Sequence, residues 1–353
     1  MPDAKLLINL ALQGGGSHGA LTWGVLDRLL EEPHVRIAEI SGTSAGAMNL
    51  VALAHGMARG GRAGARETLY QFWKSVSDAA RLSPMQRTPW DRLQGNYSLD
   101  NSPGYMMMTM ASLAFSPQML NPFNVNPLRD LIDEMIDFDA INGMKDLRLH
   151  LCATNVRTGQ SRVFASGEIT TDVVMASACL PQLYTPVEID GEAYWDGGFS
   201  ANPALTPLVV KSPVRDLLII NLNPMRRDQL PVTAQEIMNR VNEISFNTSL
   251  IKELRTINIL QKLGKVDAIS IAPASDLRLH MIHCETDSQE LSASSKMNAE
   301  WDYLQHLFRR GRIWAQDWLD RHMADIGVRP SFDMDEIFDI PLLPERLSPI
   351  REA

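Results

Sequence analysis

The pentapeptide Gly42-Thr43-Ser44-Ala45-Gly46 constrains this chain more than any other feature, because of what flanks it. Upstream, Val35 to Ile40 alternates and ends in apolar residues as a short buried strand does. Downstream, Ala45 to Met57 is rich in Ala, Leu, Met and Val and holds no proline, as a helix requires. Strand, tight turn and helix form the setting in which G-x-S-x-G makes a nucleophile elbow. The glycines let strand and helix approach closely, and the serine sits in a strained turn with its hydroxyl aimed into a cleft. The positive amide end of the helix beside Ser44 favours negative charge developing there.

A second glycine-rich turn precedes the elbow. Residues 5–12 read as an apolar strand ending at Gln13-Gly14-Gly15-Gly16-Ser17-His18-Gly19, followed by a helix with Leu21, Val25, Leu26, Leu29 and Leu30 on one face. Three glycines at a strand end free the backbone to turn its amides toward a bound group, as in an oxyanion hole or a phosphate nest. Gly14-x-Gly16-x-x-Gly19 also matches the dinucleotide fingerprint. However, Ser41-Gly42-Thr43-Ser44 stands where an acidic residue belongs at the end of the next strand, and no Walker lysine is present, so an acyl-transfer site fits better.

Further along, residues 62–81 read as a helix with Leu69, Phe72, Trp73 and Val76 on its apolar side. The stretch 83–127 differs in character: it carries Pro84, Pro89, Pro103, Pro117, Pro122 and Pro127 around Tyr105-Met106-Met107-Met108-Thr109-Met110. Unbranched methionines adapt to variable apolar shapes. The segment is therefore either a core helix or a lid-like cover over an apolar-chain site, with Met107 and Met108 as substrate-contacting candidates. After a helix near 127–137 come strands at 147–154 and 161–165, and a helix stopped at Pro181. A hairpin over 186–195, turned by Asp190-Gly191, then delivers Asp196-Gly197-Gly198 into a loop. A strand at 216–221 closes the sheet-forming part. Beyond it the pattern is helical: a capping box at Thr233 to Glu236, a helix stopped by Gly264, one further strand over 266–271, and a final helix marked by Met297, Trp301, Leu304, Phe308, Trp314 and Trp318.

Serine needs a base within hydrogen-bond reach. In the order Ser, Asp, His that base is a late histidine, His280 or His283. Alternatively Asp196, at a strand end with two glycines after it, takes the proton directly. A net charge of -9 argues against nucleic-acid binding, and Arg309, Arg310 and Arg312 read as a solvated helix face. Cys152, Cys179 and Cys284 are odd in number and lack C-x-x-C spacing, so neither a disulfide framework nor a zinc site is expected, and a reducing compartment is. His280-x-x-His283 has no third ligand; no metal and no cofactor are expected. Leu6 to Leu12 is too short, and too interrupted by Asn9, for a secretory signal, and no apolar run of ~18 residues exists to span a membrane. The expected location is cytoplasmic, with peripheral contact at a membrane.

Gly14-Gly15-Gly16-Ser17-His18-Gly19, Gly42-Thr43-Ser44-Ala45-Gly46 and Asp196-Gly197-Gly198, in this order and at these strand ends, resemble the patatin-like phospholipase family, as does the Ala176-Ser177-Ala178 approach to Pro181. The resemblance covers roughly residues 5–210. It implies a Ser44/Asp196 dyad without a catalytic histidine, an oxyanion hole from Gly14, Gly15 and Gly16, and acyl-ester hydrolysis through an acyl-serine. One position departs from it. His18 stands where the family usually has Arg or Lys, a position tied to the oxyanion loop or the substrate head group, and neutral imidazole does not replace a permanent cation. His18 is thus a further substrate-binding candidate.

The fold expected is a three-layer α/β/α with a mostly parallel central sheet. Residues 1–225 would form an acyl hydrolase core with its insertion at about 83–127, and 226–353 a mainly helical C-terminal extension packed on it. The function expected is lipid acyl-ester hydrolysis of the phospholipase A or lysophospholipase type. An acyltransferase or thioesterase with the same dyad, and a lipid-binding or scaffold module using the tryptophan-rich C-terminus, are the other readings. The oligomeric state has no signature in the sequence.

Overall fold

The computed structural model describes residues 6–266, 276–284, 287 and 291–334. Its frame is an eight-stranded sheet. The strands are β1 (Leu6–Leu12), β2 (Val35–Gly42), β3 (Arg148–Asn155), β4 (Ser161–Ala165), β5 (Val187–Ile189), β6 (Glu192–Asp196), β7 (Asp216–Ile220) and β8 (Arg278–Ile282). β1 lies between β2 and β7, and the run from β3 through β2, β1 and β7 to β8 is parallel throughout. β4 and β6 pair antiparallel with β3, and β5 with β6, so the mixed part of the sheet is confined to one end.

The helices in chain order are α1 (Gly19–Glu31), α2 (Ala45–Ala80), α3 (Pro89–Leu93), α4 (Pro103–Ala114), α5 (Pro117–Leu120), α6 (Pro127–Met135), α7 (Phe138–Asn142), α8 (Thr171–Ser177), α9 (Thr206–Val210), α10 (Ala234–Val266) and α11 (Trp301–His322). α2 is broken by non-helical backbone at Gly60 and Gly61, which divides it into the two helical runs the sequence suggests. α10 starts from the expected capping box: Glu236 accepts the Thr233 N–H at 2.9 Å, and the Thr233 hydroxyl accepts the Glu236 N–H at 3.2 Å. It continues through Gly264 to Val266.

Helices cover both faces, as a parallel sheet requires. Leu218 and Ile220 of β7 join the large core shared with α1, α2, α8 and α11, while Leu217 and Ile219, pointing the other way along the same pleat, join a second core with Leu250, Leu254 and Ile257 of α10. The architecture is thus three layers, α/β/α.

The chain beyond residue 225 contributes to both layers and to the sheet. No strand is expected at Arg278–Ile282 from the sequence pattern, because Arg278 and His280 interrupt its apolar residues. There it forms β8, with both polar side chains bound to Asp216 of β7. The strand expected over 266–271 lies outside the described residues apart from Val266, the last residue of α10. α11 packs along α1, with Trp23 against Phe308 and Trp301 at centroid separations of 4.1 and 6.1 Å. Trp314 and Trp318 are buried in the same core. Trp314 and Trp318 are therefore interior residues, and Trp301 is partly covered by Trp23, so they do not form a free surface for a partner. Arg310 and Arg312 are ion-paired, to Asp287 and to Asp27 and Glu31, in place of the solvated face expected.

The insertion is anchored at its base and open beyond. Arg87, buried, binds Glu300 at 2.7 Å and so ties the segment to the start of α11. Past this point α4 and α5 bury no residue, and from Asn101 to Asn126 the sequence has no charged side chain. Among the described residues no helix is long and apolar enough to cross a membrane.

Candidate active site

Ser44 stands between β2 and α2 with φ 54° and ψ -121°, backbone that a non-glycine residue adopts only under strain. The turn is held on several sides. The Ser44 N–H donates to Ser177 Oγ at 3.0 Å, and the Thr43 hydroxyl donates to the Ala201 carbonyl at 2.9 Å. Behind it α2 leaves so close to β1 that a Cβ on Gly46 would stand 2.2 Å from the Leu12 carbonyl oxygen. Ser177, fully buried at the end of α8, belongs to the Ala-Ser-Ala segment of the sequence, and its role is to fix the elbow amide.

Asp196 ends β6, where the pairing of Ala153 with Asp196 and an N–H to the Cys179 carbonyl at 2.8 Å set its backbone. Its side chain is fully buried. Oδ1 accepts the Gly198 N–H at 2.7 Å, and Oδ2 has no hydrogen-bond partner. Burial raises the carboxyl from 3.8 to about 6, against the opposing pull of the Ser44 hydroxyl, the Gly198 N–H and the Lys296 charge. Among the described residues the Ser44 hydroxyl is thus the one side-chain donor acting on this carboxyl, and Oδ2 is otherwise unoccupied.

The glycine loop lies against the same serine: a Cβ on Gly14 would come within 2.8 Å of Ser44 Cβ. Here one expectation needs correction. The Gly14 N–H is not free to bind an oxyanion, because it donates to Asn202 Oδ1 at 2.7 Å. Among the described residues no hydrogen bond from the Gly15 or Gly16 N–H is found, so these two amides remain as donors. Gln13 sets the loop's entry. Its Oε1 accepts the Leu222 and Asn223 N–H groups at 2.7 and 2.9 Å, and its Nε2 donates to Asn247 of α10 at 2.9 Å.

Residues 10–209, which carry all three loops, match the patatin-like phospholipase family. The chain belongs to that family. Its family places it among the lipid ester hydrolases. No curated protein matches this chain. Among solved structures it is similar to VipD from Legionella pneumophila, at 15% identity and TM-score 0.34, covering 87% of this chain and 67% of that one. It is also similar to ExoU in its heterodimeric complex with SpcU from the type III secretion system of Pseudomonas aeruginosa, at 16% identity and TM-score 0.38, covering 91% of this chain and 53% of the other. The chain thus spans about half the length of that structure, and likenesses of this size carry no argument about activity.

In this patatin-like chain His280 is engaged elsewhere than at Ser44. His280 is fully buried in β8, with Nδ1 paired to Ser331 Oγ at 2.8 Å and Nε2 to Asp216 Oδ1 at 3.1 Å, so both ring nitrogens are occupied away from Ser44. The Asp216 carboxyl is itself held well below the usual range by His280 and Arg278 against the cost of burial. His283 lies one residue beyond the same strand. His18 is in the loop as expected, buried, with Nε2 paired to Ser295 Oγ at 2.8 Å. Burial first, and the Lys296 charge second, lower its pKa well below the ordinary value, so the ring is neutral.

Met107 is 73% exposed and Met108 half-buried. A cleft at Cys179, whose carbonyl accepts the Asp196 N–H, is lined by Met175, Tyr184, Thr185 and Val187, by Asn124 and Asn126 from the end of the insertion, and by Arg129 of α6. Asn202, Asn247 and Lys296 were not legible as site residues. Asn202 alone had a local signal, its position shortly after Asp-Gly-Gly, whereas the other two reach the site only through the packing of the C-terminal part.

Proposed function

We propose that the chain is a serine acyl hydrolase of the phospholipase A or lysophospholipase type, with Ser44 as nucleophile and Asp196 as its base. The observation that carries this reading is the buried Asp196 Oδ2, unpartnered, next to the strained Ser44. Ser44 Oγ attacks the ester carbonyl carbon while its proton passes to Asp196. The carbonyl oxygen, now negative, takes hydrogen bonds from the Gly15 and Gly16 amides, with the adjoining positive end of α2 favouring the same charge. Collapse expels the alcohol, which leaves with the proton from Asp196. A water then attacks the acyl-serine and gives its proton to Asp196, which returns it to Ser44 Oγ as the bond to the acyl carbon breaks and the fatty acid leaves.

The uncharged surface of α4 and α5 suits the phase in which such substrates live. Met106, Met107, Met110, Leu113, Phe115 and Met119 are exposed on or between these helices, and Phe123 just beyond them, and exposed apolar side chains gathered in one segment mark an interaction surface. In this reading the segment touches a lipid interface and passes acyl chains toward the cleft beside Cys179, with Met107 and Met108 among the contacts.

Intact-mass detection of a covalent adduct with an acyl phosphonate tests the chemistry. The adduct and the hydrolysis of lysophospholipid should both appear with the native chain and both vanish in Ser44→Ala; an adduct that persists in folded Ser44→Ala removes the assignment.

A further inference from the structure

The glycine loop carries no cation, since His18 is neutral, yet a lysine from far along the chain is built into the site. Lys296 belongs to the short turn Ser294–Met297. Its backbone is pressed onto the loop: a Cβ on Gly16, whose φ is 58°, would stand 2.4 Å from the Lys296 carbonyl oxygen. Its side chain runs over the ring of Phe246, with Nζ 5.3 Å from the centroid. The same ring fills the space beside Gly198, where a Cβ would be 2.5 Å from it. Lys296 therefore reaches from the glycine loop to the Asp-Gly-Gly loop, the two segments that flank Ser44.

Its ammonium is under-used. Nζ donates to Asn242 Oδ1 at 2.9 Å, and among the described residues it forms no ion pair. Glu243, the neighbouring carboxylate, is already bound by Arg227 and by Arg240 at 3.1 Å. An ammonium has three N–H donors, and leaving two of them without an acceptor in a half-buried position is costly. Desolvation lowers the group from 10.5 to about 8, with Glu243 and Asp196 pulling the other way, so at neutral pH it remains a cation.

We propose that Lys296 holds the phosphate of a phospholipid substrate beside the scissile ester, which rests on the hydrolase reading above. Of the groups that a lipid acyl ester carries, phosphate is the one that is anionic at neutral pH and lies a few bonds from the ester. A fatty carboxylate, by contrast, is produced at Ser44 itself.

The experiment compares lysophosphatidylcholine with a monoacylglycerol of the same acyl chain, both as monomers, in the native chain, Lys296→Met and Lys296→Arg. The ratio of kcat/KM, phospholipid over neutral ester, should fall tenfold or more in Lys296→Met, mainly through KM, and be largely restored in Lys296→Arg. A ratio unchanged in folded Lys296→Met overturns the proposal, because a lysine that only supports Asp196 would slow both substrates alike. Calorimetric titration with glycerol 3-phosphate, glycerol serving as control, separates this failure from failure of the hydrolase reading. Binding by the native chain that is lost in Lys296→Met, with no ester cleaved by either, would sink the hydrolase reading and leave the phosphate site standing. No binding by the native chain overturns the site whatever the enzyme hydrolyses.

Discussion

The floor beneath Ser44 and the surface formed by α4 and α5 are both departures from an ordinary protein interior, in opposite senses. The floor is polar and buried: Gln13, Asn202, Asn247, Ser177 and Asp196 are closed off from water, and the first four are tied to one another, to loop amides, or, through the Asn202 and Asn247 amide groups, to the Phe246 and Pro224 carbonyls. The surface is apolar and exposed, with no charge from Asn101 to Asn126. A buried polar network is stable in only one arrangement, because each unmade bond costs about 1–3 kcal/mol. An exposed methionine-rich surface has many arrangements of similar energy. The first property suits a reaction that needs fixed geometry, and the second suits a substrate that is a variable chain in a fluid phase. The comparison predicts that damage to the floor will be severe and indifferent to substrate, while damage to the surface will be mild and selective.

The largest effect belongs to Ser44. Ser44→Ala should reduce ester hydrolysis by at least ~10³-fold, since the covalent step is removed, and should leave thermal stability intact, because Ser177 binds the backbone N–H and not the hydroxyl. Residual turnover within tenfold of the native chain would end the contrast at once.

Next comes Asp196→Asn, with ~10² or more lost in rate as for a general base. Stability should change in the opposite direction. With its pKa raised from 3.8 unfolded to about 6 folded, the native state holds this proton over an interval where the unfolded chain releases it. Stability from this group is complete below about 4 and declines as pH rises through about 6. At pH 7 the ionised carboxylate thus costs the fold up to roughly 3 kcal/mol, which Asn, retaining the bond from the Gly198 amide, would not incur. Chemical denaturation at pH 5 and pH 8 should show Asp196→Asn gaining on the native chain at both values and about twice as much at the higher one. The native kcat/KM should climb through a pKa near 6 to a plateau. Activity that falls over that interval would point to an acid in place of a base.

A smaller loss is expected at Asn202. Asn202→Ala leaves the buried Gly14 N–H without its acceptor, at about 1–3 kcal/mol of stability. The Gly15 and Gly16 amides are displaced with it, so kcat should fall about tenfold for long and short esters alike, a floor effect without substrate preference. A preference for one chain length in this variant would mean that the floor also reads the acyl chain.

How much of this was written in the sequence follows the same division. The elbow, the glycine loop and the Asp-Gly-Gly turn are local structures, each specified by a few adjacent residues, so Ser44 and Asp196 stand out as candidates from the chain alone. The supporting groups are not local. Asn202 binds Gly14, Asn247 binds Gln13 and Lys296 sits on Gly16, and no spacing announces contacts between residues so far apart. The same limit hid β8. Arg278 and His280 look like surface or catalytic residues until Asp216 is placed beside them by the parallel pairing of β7 with β8. The Gly14 amide differs from the motif's implication for a related reason: the motif shows which amides can turn inward, and only the packed structure shows that this one is bound by Asn202.

The smallest effect is expected in the exposed segment, at Met107 and Met108. α4 buries none of its residues, so replacing both methionines by serine should leave the melting temperature within about a degree, whereas two core methionines lost in this way would cost several kcal/mol. If the segment meets the acyl chain or the lipid interface, the loss appears only where there is chain to bind. Each substrate methylene that it covers contributes up to ~0.8 kcal/mol, about fourfold in kcat/KM. The native chain should therefore gain in specificity constant from butyryl through decanoyl esters until the cleft is full, and the double variant should gain less per methylene, with the two meeting at the shortest ester. Binding to neutral phosphatidylcholine vesicles should weaken in parallel, with little dependence on salt, because the surface has no charges to screen. Equal proportional losses at every chain length, in protein shown to be folded at the assay temperature, would take the segment out of substrate contact. Unchanged vesicle binding together with an unchanged chain-length slope would remove it from lipid recognition altogether, and the contrast between a rigid floor and an adaptable lipid-facing surface would then rest on composition alone.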